Sequence, residues 1–439
     1  MTEKPRSSFV APAAAIVLLV IGFAAYELWL APSSLNTPLP PASESHPQAT
    51  TLEDGTQEGA AAAEPITGPL ATPAATMWST YHGGPELAGY VEVALPEEPE
   101  VLWRYQTDGP IYFTPVADEH GLYANTRTGQ VCALDFQGNE RWTRQLMREK
   151  GPDGTEKPER LEAPLAAFLS LVIAGATSGK VYALDAATGD VKWSYDLNGT
   201  VLGTVNLAPA AAPGEPNRLF VINQDDGALH CVDAITGNGL WQADPIDRCD
   251  GSAAIGGGSV VFGSCAAALH VFNAADGVLQ QNIALDMDSQ VASGPALAGT
   301  FIYSGSHSGF FYNADAATGR ILWINKDSEG EIFSTPAVAP ELVVFSCDDG
   351  NVYALERRTG ARKWTFETDA TPTSPVIAGT KVLVGADGVL YILKLETGEK
   401  IWSYEISDEI AAPALIEGMV VVGSEDGTVT ALGKPAGAG

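Results

Sequence analysis

From residue 100 onward, short apolar runs alternate with glycine-containing turns in a unit of about 40 residues. Each unit opens on small residues around a proline, as in Ser334-Thr335-Pro336-Ala337-Val338, and continues into an apolar run, as in Leu342-Val343-Val344-Phe345. Asp349-Gly350 then turns the chain into the alternating run Val352-Tyr353-Ala354-Leu355. A Thr-Gly turn follows, and a run carrying tryptophan closes the unit. Asp-Gly between alternating runs favours a tight hairpin because glycine accepts positive φ. Thr-Gly does the same, with a hydroxyl that bonds local backbone. The pattern predicts four short antiparallel strands per unit, the size of a propeller blade.

The copies share one register. ALDAATGDVKW (183–193), CVDAITGNGLW (231–241), NADAATGRILW (313–323) and ALERRTGARKW (354–364) are the clearest, with LKLETGEKIW (393–402) and ALDFQGNERW (133–142) close variants. Trp103, Trp142, Trp193, Trp241, Trp323, Trp364 and Trp402 fall at the repeat position, and the double interval between Trp241 and Trp323 contains a copy with Gln281 where tryptophan is expected. Each indole is expected to wedge between adjacent blades with its N–H on a carbonyl. Gly138, Gly189, Gly237, Gly319, Gly360 and Gly398 hold the turns before these strands. Third strands are expected near residues 131, 181, 229, 269, 310, 352, 390 and 429, eight in all. Trp103 lacks three strands before it, and the last unit lacks a tryptophan strand after it. The N-terminal strand is therefore expected to complete the C-terminal blade and close an all-β, eight-bladed propeller over 77–434.

The N-terminal part reads differently. Residues 9–26 are uncharged and mostly apolar, with Lys4 and Arg6 before them and Glu27 after. At about 1.5 Å per residue this run spans a bilayer core, and the preceding positive charge keeps the N-terminus in the cytoplasm. Residues 1–30 are thus expected to be a cytoplasmic stub and an uncleaved transmembrane signal-anchor helix. The alternative is a cleaved signal peptide with Gly22-Phe23-Ala24 at the site, releasing the chain to the periplasm. No cysteine precedes Cys132, which argues against N-terminal lipidation of the bacterial lipoprotein type. Residues 31–76, rich in Pro, Ala, Ser, Thr and Glu, bury too little apolar surface to order and are expected to be a disordered tether.

The net charge of −30 disfavours a phosphate backbone or anionic lipid as a partner. None of the five cysteines forms a Cys-x-x-Cys, which argues against structural zinc. Cys249 and Cys265 flank Gly256-Gly257-Gly258 symmetrically, so a hairpin centred on Gly257 would place them opposite each other, as a disulfide or as two small buried residues. His230, His270 and His307 occupy different offsets in successive blades, which argues against a shared metal. Carboxylates gather in the turns between second and third strands (Asp225, Asp226, Asp348, Asp349, Asp387, Glu425, Asp426) and in the connections between blades. A propeller places both on one face. The long connection after Trp142 adds Arg144, Arg148, Lys150, Lys157 and Arg160 on the same side, and long loops on a rigid scaffold carry recognition.

The A-x-D-A-x-T-G-x-x-x-W copies resemble the pyrroloquinoline-quinone (PQQ)-like repeat family over residues 77–434, and MWSTYHGGPELAGY (77–90) looks like the lead-in found before its first blade. That resemblance implies one of two activities: a quinoprotein dehydrogenase holding PQQ and calcium, or a non-catalytic scaffold like the BamB branch. The dehydrogenases carry an adjacent cysteine pair, which is missing here. The inner segments, such as Thr114-Pro115-Val116 and Ser374-Pro375-Val376, offer neither basic groups for a tricarboxylate nor carboxylates for a metal. The expectation is a monomeric, non-enzymatic scaffold that binds envelope proteins through one face, without cofactor or nucleic acid. A reduced quinoprotein and an extracytoplasmic ligand sensor remain as alternatives.

Overall fold

The computed structural model describes residues 78–148, 154–286 and 289–435. The anchor and tether expected over 1–76 lie outside the described residues, as do Met77 and Lys150. Among the described residues no helix is long and apolar enough to cross a membrane.

Eight sheets, each built on four antiparallel strands, make up an all-β propeller, and the sheet of blade 7 gains a fifth strand, Tyr90–Val91, paired in parallel. Blade 1 runs from its inner strand Val116–Asp118 through Gly121–Asn125 and Gln130–Leu134 to its outer strand Glu140–Gln145. Blades 2 to 7 repeat this order over 166–196, 206–242, 254–284, 296–325, 337–367 and 376–405. Blade 8 takes Ala414–Ile416, Met419–Gly423 and Thr428–Gly433 from the C-terminal end and its outer strand Glu100–Gln106 from the N-terminal end, with Tyr105 opposite Val429. The half-blades at the two ends of the repeat thus complete one another, and one apolar cluster joins blades 7, 8 and 1 across this closure.

Second and third strands read as near-continuous apolar runs because both faces of a blade pack on neighbours. Leu171–Gly175 and Leu342–Ser346 are buried at every position. Outer strands alternate instead, since their edge meets solvent. Each of the eight outer strands carries a β-bulge one residue before its tryptophan or Gln281. The extra residue bends the strand and re-aims the side chain toward the following blade.

There the indole meets a glycine turn. Trp142 Nε1 donates to Ala186 O of blade 2 at 3.0 Å. Gly189, with φ of 72°, lies under the ring so closely that a Cβ there would stand 2.6 Å from it. The same seat recurs for Trp103 on Gly138, Trp193 on Gly237, Trp241 on Gly277, Trp323 on Gly360 and Trp364 on Gly398. Gln281 occupies the matching place over Gly319 and donates Nε2 to Ala317 O at 3.2 Å. Trp402 differs: it faces blade 8, whose third and outer strands come from opposite ends of the chain with no glycine turn between them, and it stacks on Tyr404 at 5.7 Å.

Candidate protein-binding face and the plugged channel

The segment from Trp78 to Val91 crosses the centre of the ring. Inner strands are sheet edges, and each points a backbone N–H into the channel that needs an acceptor. The segment supplies six in succession: Trp78 O to Ala117 N, Ser79 O to Ala167 N, Pro85 O to Ile255 N, Glu86 O to Leu297 N, Ala88 O to Val338 N and Gly89 O to Ile377 N, all at 2.7–2.8 Å. These amides belong to blades 1, 2, 4, 5, 6 and 7. In blade 3 the Asn206 side chain makes the contact instead, donating Nδ2 to Pro85 O at 2.8 Å. Tyr90–Val91 then pairs in parallel with the inner strand Val376–Ala378 of blade 7. Trp78, Thr80, His82 and Leu87 are wholly buried. His82 sits with Nδ1 2.8 Å from Leu87 O and Nε2 2.9 Å from Pro375 O, and burial draws its pKa down, against the upward pull of those two carbonyls.

The plug lies toward the face formed by the turns between first and second strands. Val93 O approaches the turn glycine Gly379 of blade 7, and Glu86 approaches Gly256 in the turn of blade 4. Above it Tyr81 hydrogen-bonds Thr335 in a collar of small residues two positions before the inner strands: Thr114, Pro164, Thr204, Ser252, Gly294, Thr335, Ser374 and Ala412. Thr204 N donates to Ser252 Oγ and Thr335 N to Ser374 Oγ, which ties neighbouring blades at this level.

PQQ does not fit this channel. The collar offers no basic side chain for a tricarboxylate, and the space below it is filled by protein. The reading of the inner strands needs one correction: Asp118 ends the inner strand of blade 1. It groups with Glu119 and His120, but its carboxylate is bonded by Tyr123 Oη at 2.9 Å and by the His120 N–H at 2.8 Å, as expected of a turn.

The opposite face carries the blade connections and the turns between second and third strands, and its carboxylates fall into two kinds. Asp226, Asp349 and Asp426 precede the turn glycines and bond the turn itself: Asp226 accepts from Ala228 N, Asp426 from Ser424 Oγ and Thr428 N, and Asp349 from Tyr353 Oη at 2.6 Å and Glu329 N at 3.1 Å. For Asp349 and Asp426 burial pushes the pKa up, but these hydrogen bonds outweigh it and hold both carboxyls below their usual value. Asp225, Asp348 and Glu425 are exposed. On blades 6 to 8, Asp348, Asp369, Asp387, Asp408, Glu409 and Glu425 are exposed and make no ion pair among the described residues. Burial first, then the charges of Glu425 and Asp387, push the Glu409 carboxyl upward, as like charges at close quarters require.

The basic loop is rearranged relative to the expectation. Arg144 does not reach this face: it lies on the outer strand of blade 1 and donates Nε to Gly189 O at 2.8 Å while pairing with Asp190. Met147 bridges Pro158, so the loop begins as a hairpin extension of that strand. Arg148 pairs with the buried Glu159 at 3.3 Å, whose other oxygen accepts from Ser178 Oγ and Tyr182 Oη. Arg160 and Arg127 both pair with Glu162. Lys157 is exposed. Sequence spacing places charges on a loop but cannot tell which are neutralised by carboxylates arriving from another strand.

Nor do Cys249 and Cys265 form a disulfide; all five cysteines are free. Gly256 pairs with Ser259 and Ala254 with Val261, so the hairpin is centred between Gly257 and Gly258 rather than on Gly257. Cys249 precedes the strand that starts at Ala254, Cys265 N donates to Arg248 O at 2.9 Å, and the Cys249 thiol donates to Asp247 O at 3.0 Å. His230, His270 and His307 stay in blades 3, 4 and 5, beside Tyr195, Ser264 and Phe333 respectively.

Comparison with known proteins gives one family. The model described as outer membrane protein assembly factor BamB matches residues 88–282, 138–366 and 280–435. The outer membrane protein assembly factor BamB of Shewanella oneidensis is 26% identical over 65% of this chain and 76% of its own length. That of Xanthomonas campestris pv. campestris is 29% identical over 62% and 68%. The crystal structure of BamB from Moraxella catarrhalis superposes with a TM-score of 0.63 at 23% identity, covering 78% of this chain and 99% of that one. The quinohemoprotein alcohol dehydrogenase from Comamonas testosteroni reaches 0.68 at 16% identity, covering 83% and 82%. At such identities the two structures share the fold and carry no argument about activity.

Proposed function

Because the chain belongs to the family of the outer membrane protein assembly factor BamB, we propose that it is a non-catalytic scaffold of the bacterial cell envelope that holds a protein partner against the carboxylate-bearing face. The observation that carries this reading is the combination of a channel closed by the chain's own Trp78–Val91 segment with an unpaired acidic patch on blades 6 to 8. A rigid ring with its centre filled offers surface, not a chamber, and the patch steers a partner with basic segments.

Exposed ion pairs contribute only about 0–1 kcal/mol each, so the contact is salt-sensitive. Capture of the partner is expected to fall as salt rises from about 0.05 to 0.5 M, where the screening length drops well below 10 Å. The variant that tests the patch is Asp348→Lys, Glu409→Lys and Glu425→Lys together. Asp349 and Asp426 are left alone because they lock turns. The triple variant should melt like the parent protein and retain several-fold less of the partner crosslinked in intact membranes. Equal capture would place recognition on another surface.

The same reading has the propeller on the periplasmic side, held by an uncleaved anchor over 9–26. N-terminal sequencing of the mature protein should return the first residues of the chain. A start at or near Ala25 would mean a cleaved signal peptide and a periplasmic protein.

A further inference from the structure

The junction between blades 4 and 5 departs from the other tryptophan junctions of the ring. At six of them an indole lies on a glycine turn of the following blade, whereas here Gln281 takes that place. Beneath it stands Val261, at the register position held by Tyr123, Phe220 and Tyr303 against Trp142, Trp241 and Trp323, and by Ile173 and Val344 in the clusters of Trp193 and Trp364. With Gln281 in place of an indole above Val261, the junction holds a pocket of about 350 Å³, within the size range of small-ligand sites. Gly256, Gly257 and Val261 line it from blade 4, Leu297 and Ala317 from blade 5, and Gln281 from the blade 4 outer strand. Ser259, Gln280 and Thr300 add polar atoms at its border.

We propose that this pocket is a binding site for an indole ring, the chemistry of a tryptophan side chain. The bulge that re-aims the outer strand is kept at Val271 and Phe272 opposite Gln281 and Leu279, and Gly319 keeps a positive φ of 70° with the Gln281 carboxamide over it, while Ala316 and Ala317 of the same turn line the pocket. The flat, glycine-rich walls match a planar ring. The Gln281 amide, whose Nε2 donates to Ala317 O, has an oxygen that accepts an indole N–H. Exposed apolar residues lie on the same two outer segments: Val278 just before the strand that carries Gln281, Leu279 at its start, and Leu322 in the next outer strand. This site lies away from the acidic patch and does not rest on the function proposed above.

The test titrates the full-length protein in detergent solution, against a detergent blank, with indole and N-acetyltryptophanamide, followed by saturation-transfer NMR. Both should bind with a dissociation constant of roughly a millimolar, as a bare aromatic ring of this size allows. Gln281→Trp supplies the ring from the chain itself; it should weaken both ligands at least about tenfold and raise the melting temperature. Gln281→Phe, which fills the space without an N–H, should also abolish binding. A peptide with tryptophan between leucine and valine that binds at least about tenfold tighter than N-acetyltryptophanamide identifies the ligand as a partner's side chain; equal affinity identifies a small aromatic molecule. No binding by the parent protein, or undiminished binding in both variants, overturns the proposal, as does a fall in melting temperature for Gln281→Trp.

Discussion

Replacing Trp78 by alanine should destabilise the propeller by about 3–5 kcal/mol, the cost of deleting a large buried aromatic side chain. Trp78 has no exposed surface and packs in the apolar cluster that joins blades 7, 8 and 1, where the two chain ends pair to close the ring. Its carbonyl accepts from Ala117 N at 2.8 Å, and its indole N–H donates to Tyr81 O at 3.3 Å, which starts the plug on its path across the channel. The loss therefore combines a cavity with a loosened plug. Urea unfolding followed by fluorescence should show the lower midpoint. Amide hydrogen exchange should show faster exchange at Ala117, Ala167, Ile255, Leu297, Val338 and Ile377, while outer-strand amides keep their relative protection. A loss under about 1 kcal/mol, or unchanged exchange at those six amides, would mean that the segment decorates the channel without holding the blades.

Trp142→Ala is expected to cost a similar amount, about 3–5 kcal/mol, by a different route. Trp142 is 8% exposed, and its ring is held between Tyr123 of its own blade, at 6.0 Å, and the Gly189 turn of the next. Truncation removes a contact between blades 1 and 2 and leaves Ala186 O with only the longer bond from Tyr123 Oη at 3.4 Å. Buried acceptors that lose their donor add to the cost of the lost packing. Gln281→Ala is the internal control. It stands in the same register and makes the same kind of hydrogen bond at 3.2 Å, but it fills much less of the junction, so it should cost under about 1 kcal/mol. Chemical denaturation of the two variants side by side decides the point. If both cost the same, the hydrogen bond holds adjacent blades together, and the indole's volume contributes little.

Much of the ring is legible in the repeat. The spacing of Trp103 through Trp402, the Asp-Gly and Thr-Gly turns and the unmatched half-blades at the two ends locate eight blades and their closure, because strand alternation and turn chemistry act over a few residues. The Trp78–Val91 segment shows no such signal. Its backbone bonds one amide in each of six blades, and carbonyls carry no side-chain signature. The bulges before each tryptophan are equally silent, since any residue type can fill the extra position: Lys192, Leu240 and Arg141 all do.

The candidate face divides in the same way. Sequence alone determined that the turns and connections between blades are acidic, since turn position and residue type are both local. Tertiary structure decided which carboxylates act as charge. Asp349 is committed to Tyr353 and Asp426 to its own turn, Arg144 is drawn to the next blade's Asp190, and Arg148 is tied to Glu159. The partner of Cys249, the Asp247 carbonyl, was decided by the path of the chain before the Ala254–Gly256 strand, and the pocket at Gln281 by what the neighbouring blade places opposite it. In each case the outcome depends on a partner brought close by folding rather than by sequence. Electrostatics and packing are settled by distances of a few ångströms across blades, which the order of residues along a strand does not encode.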